Sequence, residues 1–292
     1  MVDKFSDVLI SHCPLYLVLD TASYDPGLLT KIYNIDPMPE LDFLFSATQY
    51  HSLAMDGPVI VQSTERLLEF FINEFITGGY AGFAVQAKLE QSEVAEHLKR
   101  NLTVCADGKE CLFRFYEPRY LSAILSDVVP EQRQYLMGNV EARWIWPHRY
   151  ENEIMGWEYA DNLPDPQIDT TSSRLALTPS QLAQLQQSQN TIVIDNVAMK
   201  LKGKAELANL SLEKRHQLIM SWLMPLLSKS PINPLRAEQF CLGLNDLTPD
   251  SQKALLMEIT QRGYEIKAAL ALVKKYQIKE KNNVIQFTSA RM

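Results

Sequence analysis

Five consecutive apolar residues, Leu15 to Leu19, are stopped by Asp20 and read as a short buried strand. Pro58 to Val61 reads the same way, and Tyr80 to Ala87 suggests a third strand. Between them Leu67, Phe71 and Phe75 recur at i, i+4 and i+8, one face of a helix. Ser63 is placed to cap that helix and Gly78-Gly79 to end it. A further helix follows Ser92, with Glu96 and Arg100 at pairing distance. The run from Leu102 to Tyr116 then reads as a hairpin turning at Asp107-Gly108, and Val140 to Trp146 alternates as a last strand.

LFRFYEPRYLSAIL, residues 112–125, is the most unusual stretch. By its period of two, Leu112 to Tyr116 is a strand, with Phe113 and Phe115 on one face. Pro118 has no N–H to give a sheet but suits the first turn of a helix, which Leu121, Ile124, Leu125 and Val128 continue at helical spacing. A second short helix starts at Pro130. Arg114, Glu117 and Arg119 therefore fall on a strand-to-helix corner. Either the two arginines bracket Glu117 and fix the corner, or the charges contact a partner.

After residue 160 the pattern changes. DNLPDPQIDTTSSR, residues 161–174, has little to bury and reads as a linker. Beyond it Thr178-Pro179-Ser180-Gln181 forms a capping box, Asn233-Pro234 and Thr248-Pro249 repeat the cap-plus-proline device, and Ser211 opens a helix holding Leu218, Met220, Trp222 and Leu223. The expected fold class is a mixed α+β (α/β) domain over 1–160, with a central sheet and flanking helices. A linker over 161–176, a smaller all-helical domain over 177–278 and a polar tail over 279–292 follow.

Charge sharpens that division. Residues 1–169 hold 12 Lys+Arg against 26 Asp+Glu, while residues 170–292 hold 16 against 9, so a net −14 precedes a net +7. The basic half is the more credible site for nucleic acid, but its charge is spread out and reads better as a solvated face or a docking face for an acidic surface. No run of the sequence approaches a membrane span and the first residues lack a secretory signal, so a cytoplasmic protein is expected.

Candidate chemistry is sparse. No phosphate-binding glycine loop, serine elbow or HExxH helix occurs, and the five histidines and four cysteines lack ligand spacing. Cys105 and Cys111 would face each other across a three-residue loop but not a two-residue one, and free buried thiols are expected. Asp20, at a strand end, is the one carboxylate placed where an α/β enzyme would keep one; a turn or cap role competes with that reading. Trp144, Trp146 and Trp157 read as core or interface aromatics. Neither metal nor cofactor is expected.

The order of these features resembles the effector chaperone (adaptor) family of bacterial type VI secretion. The residues that carry the resemblance are YLVLD (16–20), LFSATQYHSLAMDGPVIV (44–61), QSEVAEHLKRNL (91–102), the Asp-Gly hairpin and above all FRFYEPRYL (113–121), spread over residues 14–146. The chain departs from the family's pattern at Thr21-Ala22, where glycine is usual, and at Met137-Gly138-Asn139, where an aromatic-Gly-Pro is usual. The resemblance implies a non-catalytic protein that binds a secreted toxin effector in the producing cell and helps load it onto the valine-glycine-repeat spike protein. It implies that Arg114, Tyr116, Glu117, Pro118, Arg119, Tyr120 and Trp144 fix the corner or touch the partner. The competing readings are a hydrolase-like enzyme using Asp20 and a nucleic-acid-binding regulator using the basic helical half.

Overall fold

A computed structural model describes residues 2–24, 27–106, 108–126, 128–150, 153–168, 175–202, 204, 207, 209–228 and 232–289. The chain divides into two compact units, Met1–Leu185 and Gln186–Met292. The first is the mixed α+β body and the second is helical.

The first unit is built on a six-stranded sheet of β1 (Leu15–Asp20), β2 (Leu41–Phe43), β3 (Pro58–Gln62), β4 (Gly82–Ala87), β7 (Ala142–Tyr150) and β8 (Glu153–Asn162). Their order is β2-β3-β1-β4-β7-β8, and every neighbouring pair is antiparallel. Strands β1, β3, β4 and β7 were expected; β2 and β8 were not, because β2 is only three residues long and because Gly156 and the acidic residues of β8 hide its alternation, its last residues lying inside the stretch read as linker. A separate two-stranded hairpin, β5 (Thr103–Ala106) and β6 (Lys109–Leu112), stands apart from the sheet.

Both faces of the sheet are covered, which is why β1 is buried along nearly its whole length instead of alternating. One face, carrying Tyr16, Val18, Ile60, Phe83, Val85 and Trp144, packs under α3 (Gln91–Asn101), α4 (Pro118–Leu125) and α5 (Pro130–Met137). The other, carrying Leu17, Leu19, Val59, Val61 and Ile145, packs under α1 (Leu28–Ile35), α2 (Glu65–Phe70) and the 3-10 turn Phe5–Val8.

Local details correct several expectations. Thr64, not Ser63, caps α2, its hydroxyl accepting from Leu67 N at 3.3 Å. The helix then widens into a π turn over Phe71–Ile76, which rotates Phe71, Phe75 and Ile76 all into the core. Glu90, not Ser92, caps α3, in a reciprocal box with Glu93. Glu96 pairs with Lys99 at 2.6 Å instead of with Arg100. Strand β6 ends at Leu112, so Phe113 to Tyr116 form an irregular connection in which Phe113, Phe115 and Tyr116 are all buried.

In the second unit α6 (Pro179–Leu201, whose first turns belong to the first unit), α7 (Leu212–Leu227), α8 (Pro234–Asn245), α9 (Pro249–Arg262) and α10 (Ile266–Ser289) surround a core of Trp222, Leu223, Phe240, Leu255, Ile259 and Ala269. The capping signals hold at Thr178, Ser211 and Asn233, whose side chains accept from first-turn N–H groups. Thr248 sits at the N-cap of α9 but bonds Glu280 instead. Met220 is exposed although its neighbours Trp222 and Leu223 are buried. Helix α10 continues through Ser289, inside the stretch expected as tail.

Ala106 faces Lys109, so the hairpin closes on two residues; Asp107 itself lies outside the described residues. In this register Val104 opposes Cys111 and Cys105 opposes Glu110, which puts the two thiols on opposite faces of the hairpin. All four cysteines are free; Cys111 is exposed, not buried as expected, while Cys241 is buried and its thiol pKa is pushed far up by burial. A thiol-reactive maleimide is therefore expected to consume Cys111 first in the native protein and Cys241 only after unfolding, as peptide mapping would show. Early labelling of Cys241 would contradict its place in the core.

Candidate functional site

The antiparallel order gives β1 and β7 the same direction, so their carboxyl ends and the starts of β3 and β4 meet at one end of the sheet. The corner residues gather there. Arg114 Nη2 donates to Asp20 Oδ2 at 3.0 Å, across 94 positions of sequence. The Asp20 side chain is 1% exposed and that of Arg114 47%, so the desolvation falls on Asp20. Burial raises the Asp20 pKa, opposed by Arg114 and by the backbone at Ala22. For Arg114 burial pulls the other way, but Tyr116 and Asp20 outweigh it and the guanidinium pKa rises. Its centre lies 5.5 Å from the Tyr116 ring centroid, and burial pushes the Tyr116 phenol up to about 12.

Glu117 plays a different part. It is the N-cap of α4, its Oε1 accepting from Arg119 N at 3.3 Å, with Pro118 at the first helical position. The expectation that Arg114 and Arg119 bracket Glu117 is thus corrected: Arg114 turns to Asp20, and Glu117 spends its carboxylate on the helix start. The missed partner, Asp20, had one visible sign in the sequence, a carboxylate closing an otherwise apolar buried strand. Tyr120 is half-buried on α4, and burial raises its phenol pKa. Trp144 lies in the core against Phe83 and Phe115, with 1% exposure.

Two further ties, not foreseen from the sequence, hold α4 and the strand ends. Glu158 on β8 accepts from Ser122 Oγ of α4 at 3.0 Å and from Trp146 Nε1 at 2.7 Å, and it bonds His148 Nδ1 at 2.8 Å. Arg149 Nη2 donates to the carbonyls of Ile76 (2.6 Å) and Tyr80 (3.1 Å), and burial lowers its pKa to about 10.

Beside this corner the chain exposes apolar side chains. Thr21, next to Asp20, donates its hydroxyl to the carbonyls of Met55 (2.9 Å) and Gly57 (2.8 Å), pinning the turn His51–Asp56 to the end of β1. The turn also depends on Gly57, where a Cβ would lie 2.4 Å from the buried Phe45 ring. On it Leu53 is 50% and Met55 62% exposed. The arrangement holds a corner rigid while presenting one guanidinium and two apolar side chains to solvent, a combination suited to protein contact.

Asp20 does not sit at a parallel switch point, since the sheet is antiparallel throughout. Among the described residues no group of three or more His, Cys, Asp or Glu could hold a metal, and no helix is long and apolar enough to cross a membrane. Residues 15–135 match the model of a family described as Domain of unknown function (DUF4123). That match is consistent, in general terms, with the type VI secretion adaptors that the motifs resemble. No curated protein and no solved structure matches the chain.

Proposed function

We propose that this chain is a non-catalytic cytoplasmic adaptor that binds a toxin effector of type VI secretion and assists its loading onto the spike protein. The observation that carries the reading is the corner itself. The stretch FRFYEPRYL, the most specific part of the resemblance, folds into a connection whose one buried carboxylate partner, Asp20, is neutralised at 3.0 Å, leaving Arg114 half in water. The exposed Leu53 and Met55 on the adjoining turn extend that surface, and the family match covers both. Charge supports a partner of mixed character, since the two halves of the chain carry opposite net charge.

The test is co-purification of the tagged chain from its native host, with bound proteins identified by mass spectrometry. One large toxin-like protein, with or without the spike protein, is the expected result. Recovery of nothing by a folded, abundant chain would sink the reading. Replacing Leu53 and Met55 together by aspartate is expected to abolish capture while moving stability by only about 0.5 kcal/mol per site, because both side chains already face water. Undiminished capture by that variant would move the contact surface elsewhere.

A further inference from the structure

A cleft of about 350 Å³ opens on the first unit between α3, the end of α5 and the sheet. Its floor includes Val85, Ala142 and Trp144, and its walls include His97 and Tyr135. The size is at the lower end of ligand pockets, enough for one ring and not for a nucleotide.

Two polar atoms on this surface are unspent. Trp144 is 1% exposed, and its contacts are the rings of Phe83 and Phe115. Its indole N–H makes no hydrogen bond with any described residue, whereas the indole of Trp146 donates to Glu158. The Trp144 N–H is not among the unpartnered side-chain atoms closed off from water, so on a side chain this buried it is open to the cleft that Trp144 lines. His97 supplies the complement. Its Nε2 bonds the Leu136 carbonyl at 2.6 Å, and an acceptor there requires that Nε2 carry the proton. Nδ1 is then a bare acceptor, and burial lowers the imidazole pKa and keeps the ring neutral. The cleft thus offers one donor and one acceptor among apolar walls, while its charges, Glu93 and Arg100, are on exposed residues.

We propose that this cleft binds a phenol-type group, its ring filling the apolar space and its hydroxyl meeting the Trp144 N–H and the His97 Nδ1. A hydroxyl is the smallest group that both accepts and donates, and an aromatic ring matches the volume. The group is either a tyrosine side chain presented by a protein or a free phenolic molecule. The site stands whether or not the adaptor reading does.

The test uses the full chain labelled with nitrogen-15 and its four indole N–H resonances. The Trp144 resonance is identified by its loss in Trp144→Phe. p-Cresol is expected to shift that resonance saturably, with a Kd on the order of 1 mM for so small a probe. Toluene, which lacks only the hydroxyl, is expected to bind about tenfold more weakly. No saturable shift with p-cresol, or equal binding of toluene, overturns the proposal, and this comparison needs no variant. His97→Phe, if folded, is expected to weaken p-cresol about tenfold and leave toluene unchanged; an unchanged p-cresol affinity in that folded variant would remove His97 from the site. N-acetyl-tyrosinamide decides the source: tighter binding than p-cresol indicates a peptide-borne tyrosine, weaker binding a free phenol.

Discussion

Arg114→Ala is expected to destabilise the first unit by roughly 1–3 kcal/mol at neutral pH, and less as the solution is acidified. Removing one partner of a fully buried ion pair costs about 3–5 kcal/mol; Arg114 is 47% exposed, so part of that is already screened by water. What remains is the carboxylate of Asp20, 1% exposed and left without its counter-charge. Its pKa is raised by burial even with Arg114 present, and the substitution raises it further. A carboxyl whose folded pKa lies above its unfolded value of 3.8 favours the folded state where it is protonated and loses that contribution as pH rises through the folded pKa. The penalty of Arg114→Ala is therefore full at neutral pH and fades as pH falls through the raised pKa of Asp20. Urea unfolding of both proteins between about pH 7 and pH 4 measures it. Asp20→Asn needs no counter-charge, so the double variant is expected to recover most of the loss. A double variant no better than the sum of its parts would show that the pair does not act through buried charge.

Phe115→Ala is expected to cost more, roughly 3–5 kcal/mol, and to do so independently of pH. The ring is fully buried and meets Phe83 edge-on at 6.0 Å, with Trp144 at 6.2 Å and Tyr116 at 5.7 Å. Phe115→Leu keeps much of the volume and should cost less than half as much, roughly 1–1.5 kcal/mol. The two residues sit side by side in sequence, yet one is anchored by charge and the other by packing. Their opposite pH behaviour in the same urea experiment separates the causes, and a pH-dependent loss in Phe115→Ala would contradict this assignment.

Much of this architecture is legible in the sequence because it rests on local physics. Apolar runs mark β1, β3 and β4, and proline at the first helical position marks α4, α5, α8 and α9. Thr178, Ser211 and Asn233 announce helices through hydroxyl or amide caps. The cap at Glu90 is hidden because glutamate caps only in the reciprocal arrangement that Glu93 completes. Strand β8 is hidden because Gly156 and a register shift between His148 and Arg149 interrupt its alternation. The corner residues could be listed from sequence, but the pairing of Arg114 could not. Two arginines flanking a glutamate suggest a local solution, and only the non-sequential strand order brings Asp20 within reach.

The same strand order bears on how the chain is made. Synthesis delivers β4 well before β7, the strand that covers its second edge, and the region matching the family model stops at residue 135, ahead of both β7 and β8. Until Ala142 to Tyr150 emerge, β4 presents an open ladder beside Phe83 and Val85, and Trp144 and Trp146 are missing from the nascent core. The hairpin waits longer still: Cys105 is bonded on both sides by Leu175 and Leu177. Recognition of the N-terminal region and its ability to fold alone are therefore different things, and a nascent chain halted between the two carries a sticky edge that the finished protein never shows.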